Sequence, residues 1–233
     1  MPGRMITIKA KDGGSFQGFL ATPDSGKGPS IVVLQEIFGV NYVMREICHT
    51  LAAQGYIALC PDLFWRMEPN CELSDRTEGE WGRAFKFYQG FDVAKGVDDI
   101  AAGVEAARKV KGATGKVGAV GYCLGGKLAY LTATRTNADC SVSYYGVGIE
   151  ELLSEAKTIK SPHMQHIAEQ DKFVPPEAQA KIKDGLKGNK LVTLHSYAGC
   201  DHAFARWGGE HYDAKAAKTA NDRTYEFFKT HLS

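Results

Sequence analysis

An α/β fold is predicted, with a mostly parallel sheet, helices on both of its faces and an N-terminal β-hairpin. Three observations predict it. Short runs such as Ile31-Val32-Val33-Leu34 and Val117-Gly118-Ala119-Val120 are apolar throughout, as strands buried on both faces must be. Segments of helical period lie between them. The alternation of the two, after one hairpin signal near the start, is what parallel strands joined by crossover helices produce. A length of 233 residues suits one such domain, spanning 1–233.

The elements follow in order. Residues 6–10 and 15–22 are strand-like, and Asp12-Gly13-Gly14 supplies the turn between them. A polar loop over 23–29 leads to a strand at 31–34. An amphipathic helix over 42–54 stops at Gly55, and a strand at 57–60 is closed by Pro61-Asp62. Residues 64–90 mix aromatics, charges, Pro69 and several glycines, and read as a long irregular excursion before a helix over 92–110. Next come a strand at 117–120, a helix at 124–134, strands at 141–144 and 163–168, a helix at 176–186 and a last strand at 191–196. The terminal helix, 212–231, carries Tyr212, Tyr225, Phe227 and Phe228, which are assigned to the core.

Composition removes several classes of function. Basic and acidic residues nearly balance, for a formal net charge of +1, so no field that would draw nucleic acid is expected. The N-terminus lacks the apolar run of a secretion signal, and no stretch approaches the ~18 apolar residues of a membrane span. The six cysteines, Cys48, Cys60, Cys71, Cys123, Cys140 and Cys200, form no Cys-x-x-Cys pair. Free thiols, a cytoplasmic location and a monomer are expected.

Gly121-Tyr122-Cys123-Leu124-Gly125 lies between a strand and a helix. A sharp strand-to-helix turn of this kind, a nucleophile elbow, holds one side chain exposed above the sheet edge. The usual nucleophile is serine; here it is Cys123. In α/β-hydrolases an acid and then a histidine follow the nucleophile along the chain. Asp171 follows the strand at 163–168, and His202 follows the strand at 191–196. Three such residues in this order are far more specific than any one alone.

Their chemistry assigns roles. The N-terminus of the following helix favours a thiolate at Cys123. His202 takes the thiol proton and later protonates the leaving group, and Asp171 holds the imidazole in one tautomer. The N–H of Leu124 is one oxyanion donor, and the N–H of Ile37, in the loop after an early strand, is the second. Glu36 beside that oxyanion site has two readings: a second proton acceptor for the thiol, or a solvated loop acid.

Together, Gln35-Glu36-Ile37-Phe38-Gly39-Val40-Asn41, Cys60-Pro61-Asp62-Leu63, Gly121-Tyr122-Cys123-Leu124-Gly125-Gly126, Tyr144-Tyr145-Gly146 and Asp201-His202-Ala203-Phe204-Ala205-Arg206 resemble the dienelactone hydrolase (carboxymethylenebutenolidase) family, in register over nearly the whole chain. The resemblance implies an α/β-hydrolase fold and a Cys123-His202-Asp171 triad. It implies that Glu36 touches the resting thiol and helps form the thiolate when substrate binds. The implied substrates are dienelactones from chlorocatechol breakdown, opened to maleylacetate through an acyl-thioenzyme. Arg206 would bind the substrate carboxylate, with Tyr145, Trp81 and Phe38 lining the pocket. Better-known members carry a second carboxylate-binding arginine where this sequence has Trp81, and Arg76 or Arg83 could replace it. A single arginine implies a substrate that is larger, less acidic or different.

Two alternatives stand beside this reading. One is a general carboxylesterase or thioesterase, and the other is a non-catalytic redox or binding protein using Cys123. His163 and His166 form His-x-x-His, but residues three apart on a strand face opposite sides, so no metal is expected. The Gly-x-Gly-x-x-Gly spacing of a dinucleotide loop is absent, and no cofactor is expected. Cys60 and Cys140 read as core residues. Cys200, two residues from His202, could tune the site or be oxidised. Trp65, Trp81 and Phe85 could form a pocket wall or lid, or simply pack.

Overall fold

The computed structural model describes residues 3–233. Its centre is an eight-stranded sheet: β1 (Arg4–Lys9), β2 (Ser15–Ala21), β3 (Gly28–Leu34), β4 (Ile57–Pro61), β5 (Ala113–Tyr122), β6 (Cys140–Tyr144), β7 (His163–Ala168) and β8 (Val192–Tyr197). The order across the sheet is β1-β2-β4-β3-β5-β6-β7-β8. The β1/β2 hairpin joins antiparallel to β4, and every other pairing is parallel.

Six α-helices are formed among the described residues: α1 (Tyr42–Ala53), α2 (Glu78–Gly90), α3 (Val93–Arg108), α4 (Leu124–Arg135), α5 (Pro176–Leu186) and α6 (Ala214–Leu232). They cover both faces, and β3 shows why. Ile31 and Val32 point to opposite sides of the sheet. Gly103 of α3 packs toward Val32, whereas Phe228 of α6 packs toward Gly118, the register partner of Ile31. Residues 31–34 are completely buried between these layers. No helix among the described residues is long and apolar enough to cross a membrane.

The helix starts are written locally. Asn41, Asp92 and Asp213 each accept from the backbone N–H three residues on, capping α1, α3 and α6. The cap at Asp213 leaves Tyr212 outside α6 and 39% exposed, so that aromatic is not in the core. Phe227 and Phe228 are buried.

The largest departure is α2, which occupies the second half of the stretch read as irregular. Thr77 caps it by accepting from Glu80 N–H, and the Glu80 carboxylate reaches back to Thr77 Oγ1 and to Ser74 N–H. Gly79 and Gly82 oppose a helix by propensity, and Ala84 is its only buried residue. Its aromatic face looks into a cavity instead of the core, which hides the periodic signal. In the excursion before it, Trp65 stacks on Phe16 and donates to the buried Asp99, which also holds Arg66. Trp65 therefore packs and forms no lid.

Candidate active site

The sheet order brings four loop residues to one edge. Glu36 follows β3, Cys123 follows the neighbouring β5, Asp171 follows β7 and His202 follows β8. Cys123 sits in the left-handed half of backbone space, at φ 56° and ψ −114°. That costs about 1–3 kcal/mol and persists only where the surroundings enforce it. Two glycines do so. A Cβ on Gly121 would lie 1.9 Å from Gly125 O, and one on Gly125 would lie 2.2 Å from Leu34 O. Only bare backbone lets α4 approach the strands closely enough to make the turn. Leu124 is the first residue of α4, so its N–H has no acceptor within the helix. Ile37 lines the cavity above Cys123.

The structure brings Asp171 and His202 together. His202 Nδ1 lies 2.7 Å from Asp171 Oδ2, and both side chains are buried. The other Asp171 oxygen accepts from Phe173 N–H and Val174 N–H, which fixes the carboxylate. Burial alone would pull the His202 pKa down. The adjoining Cys123 sulfur and the Asp171 carboxylate overcome it and push it up to about 10. A histidine raised above its ordinary ~6.5 stabilises the fold as the cation. That contribution is complete below pH ~6.5 and is lost as pH rises toward 10. Thermal melts from pH 6 to 10 should therefore fall more steeply for the wild type than for Asp171→Asn. Parallel profiles would contradict the pairing.

Glu36 is paired with Arg206. It is 2% exposed, and its two oxygens take Arg206 Nε at 2.9 Å and Nη2 at 3.0 Å. This fork-to-fork pair satisfies a buried carboxylate far better than a thiol could, and it also excludes the solvated-acid reading. Burial disfavours the Arg206 cation, but Glu36 outweighs that and holds its pKa above the ordinary value. The third guanidinium nitrogen, Nη1, donates to Asp75 Oδ2 at 2.7 Å. Nothing in the sequence marked Asp75, which lies 131 residues away along the chain.

A cavity of about 410 Å³, open mouth included, lies over Cys123. Ile37, Phe38, Val147 and Phe173 line it with Trp81, Phe85 and Tyr88, and Cys123, His202 and Arg206 reach into it. Trp81 packs edge-on to Phe38 and stacks on Phe85. Phe173 packs edge-on to His202 and was not anticipated; Tyr88 could have been, since it follows Trp81 at helical spacing. Tyr145 lies outside the wall. It is 2% exposed, at φ 40°, with its ring against His202 and Phe204, so it supports the histidine from below.

The remaining candidates fall elsewhere. Arg83 pairs with Glu68 on the surface. Arg76 lines a separate polar cleft, with Glu36, that shares Phe38 and Arg206 with the first cavity. Cys200 is buried, and burial pushes its thiol pKa up, against easy oxidation. His163 bonds Ser141, whereas His166 bonds Tyr197 and Thr224. Cys60 and Cys140 are core residues.

A parallel sheet carrying a strained elbow, with a buried Asp-His pair arriving from later strands, defines an α/β-hydrolase. Relatives agree and narrow the class. The model of the dienelactone hydrolase family matches residues 16–232. A protein of Azospirillum brasilense, provisionally named a carboxymethylenebutenolidase, is 48% identical over 229 residues, covering 97% of this chain and 98% of its own. The carboxymethylenebutenolidase of Pseudomonas putida is 42% identical over 222 residues, covering 95% and 94%. A solved dienelactone hydrolase-like promiscuous phosphotriesterase from metagenomic libraries shares the fold with TM-score 0.82 at 22% identity, over 100% of each chain. This chain belongs to the dienelactone hydrolase family, and it is a hydrolase acting on a carboxylic ester or lactone.

Proposed function

We propose that the protein opens a small unsaturated enol-lactone, converting dienelactone to maleylacetate in the breakdown of chlorinated aromatics, through an acyl-thioenzyme on Cys123. The observation that carries this is the strained Cys123, set beside the His202–Asp171 pair under an aromatic cavity. The curated relatives named carboxymethylenebutenolidase support the choice of substrate class.

The Cys123 proton is held on His202, and the thiolate of that ion pair adds to the lactone carbonyl. The oxyanion is held by the N–H groups of Ile37 and Leu124. The ring C–O bond breaks, and the leaving enolate takes the proton from His202. Water then adds to the thioester, His202 accepts its proton, and the C–S bond breaks to regenerate the thiolate. The net change is lactone plus water to the open-chain acid, whose enol tautomerises to the ketone. An enolate is a good leaving group, so a sulfur nucleophile is matched to it.

The test is acid quenching during turnover of trans-dienelactone, with a simple aryl ester run beside it. Mass spectrometry should find the substrate's mass added to the peptide holding Cys123, lost again on longer incubation. Turnover without that adduct, or no turnover of either substrate, would refute the proposal. A second reading, an esterase for uncharged activated esters, is favoured by one observation: all three nitrogens of Arg206 are already engaged.

A further inference from the structure

We propose that Asp75 is a specificity-determining residue that sets the charge of the substrate this site accepts, by occupying the Arg206 nitrogen that a substrate carboxylate would need. The inference rests on the hydrolase reading above and deepens it.

Arg206 is the one permanent cation lining the Cys123 cavity among the described residues. Its guanidinium is nine-tenths buried and held by two carboxylates, Glu36 through Nε and Nη2 and Asp75 through Nη1. Two acids on one base leave that end of the cavity formally negative. An arriving carboxylate is therefore repelled unless one acid leaves. Glu36 is almost fully enclosed, whereas the Asp75 side chain is 26% exposed and faces the polar cleft shared with Arg76. Asp75 is thus the acid able to move.

Its movement is coupled to the cavity wall. The backbone carbonyl of Asp75 accepts from Trp81 Nε1 at 3.0 Å, and the Trp81 ring lines the cavity. Displacing Asp75 disturbs the segment that seats α2. Arg76, one residue on, cannot stand in for Arg206, because it faces the neighbouring cleft, where its charge acts on Glu80. An uncharged ester or lactone meets none of this resistance. A dienelactone, itself a carboxylate, gains Nη1 of Arg206 only by displacing Asp75, so Asp75 reduces the preference for anions that Arg206 alone would give.

Two substrate pairs test this. The first is p-nitrophenyl acetate against p-nitrophenyl succinate, read as the ratio of kcat/KM within one protein, so that loss of active enzyme cancels. Asp75→Asn keeps the shape and removes the charge. It should lower the neutral-to-anionic ratio by about tenfold or more, the worth of one charge-assisted hydrogen bond. Asp75→Glu should stay near the wild-type ratio. The second pair, 2-furoate against 2-furamide, needs no turnover. By calorimetry, Asp75→Asn should shift relative affinity toward furoate by about the same factor. Equal shifts for both members of each pair, or none, would overturn the proposal. If no protein turns over either ester, the hydrolase reading fails and the furoate pair alone decides the role of Asp75.

Discussion

Replacing Cys123 with alanine is expected to lower kcat/KM on any accepted ester or lactone by about 10⁴-fold or more, with a cooperative fold retained. The rate falls because the cavity lining holds no other thiol and no serine, threonine or lysine: the rest is aromatic, aliphatic, His202 or Arg206. The fold survives because the strain at this position belongs to the backbone, and alanine meets the left-handed region no worse than cysteine does. A residual rate of about 10³–10⁴ over water should remain, supplied by backbone amides and binding. The same substitution removes the sulfur that helps hold the His202 pKa up, so the histidine should titrate closer to neutrality by NMR. Activity retained within tenfold would end the nucleophile assignment.

Arg206→Ala should cost about 3–5 kcal/mol of stability, a large share of what holds a domain together. It strands Glu36, a carboxylate that is 2% exposed and has both oxygens committed to this arginine. It also strips the cation from the face of Phe38, 5.2 Å away. Pairing it with Glu36→Gln should recover a substantial part of the loss, because removing both charges is milder than orphaning one. Urea midpoints of the two single variants and the double variant measure this. A single variant as stable as the wild type would mean that the pair contributes nothing.

The framework was legible because parallel strands and crossover helices announce themselves locally. The runs at 31–34 and 117–120 are short, β-branched and bounded by turn signals, as strands buried on both faces are, and Asn41, Asp92 and Asp213 cap helices within three residues. The Cys123, Asp171 and His202 order was readable for the same reason, since each stands just past a strand end. What could not be read is whatever depends on distant residues competing for one partner. Arg206 finds Glu36 170 residues away and Asp75 131 residues away, and neither separation leaves a trace in the sequence. Family resemblance implies Glu36 against the thiol and Arg206 against substrate; in this structure the two side chains pair with each other. The helix at 78–90 escaped for a different reason. Its apolar residues, Trp81, Phe85 and Tyr88, are spaced for a helix, but glycines dilute the pattern and the face they make is half-buried against a cavity.

That helix carries a wider consequence. Three of the side chains that shape the cavity come from one 13-residue segment, whose links to its surroundings include a capping box, the Trp81 hydrogen bond to Asp75, the Trp81–Phe38 ring contact, the Arg83–Glu68 ion pair and a ring stack of Phe87 on Phe64. Cys123, Asp171 and His202 follow strand ends of the sheet instead. Part of the cavity wall is therefore encoded apart from Cys123, Asp171 and His202, although Phe38, Phe173 and Arg206 belong to their loops. Exchange within 75–90 is expected to reshape that part of the wall while leaving the strand ends that carry Cys123, Asp171 and His202 in place.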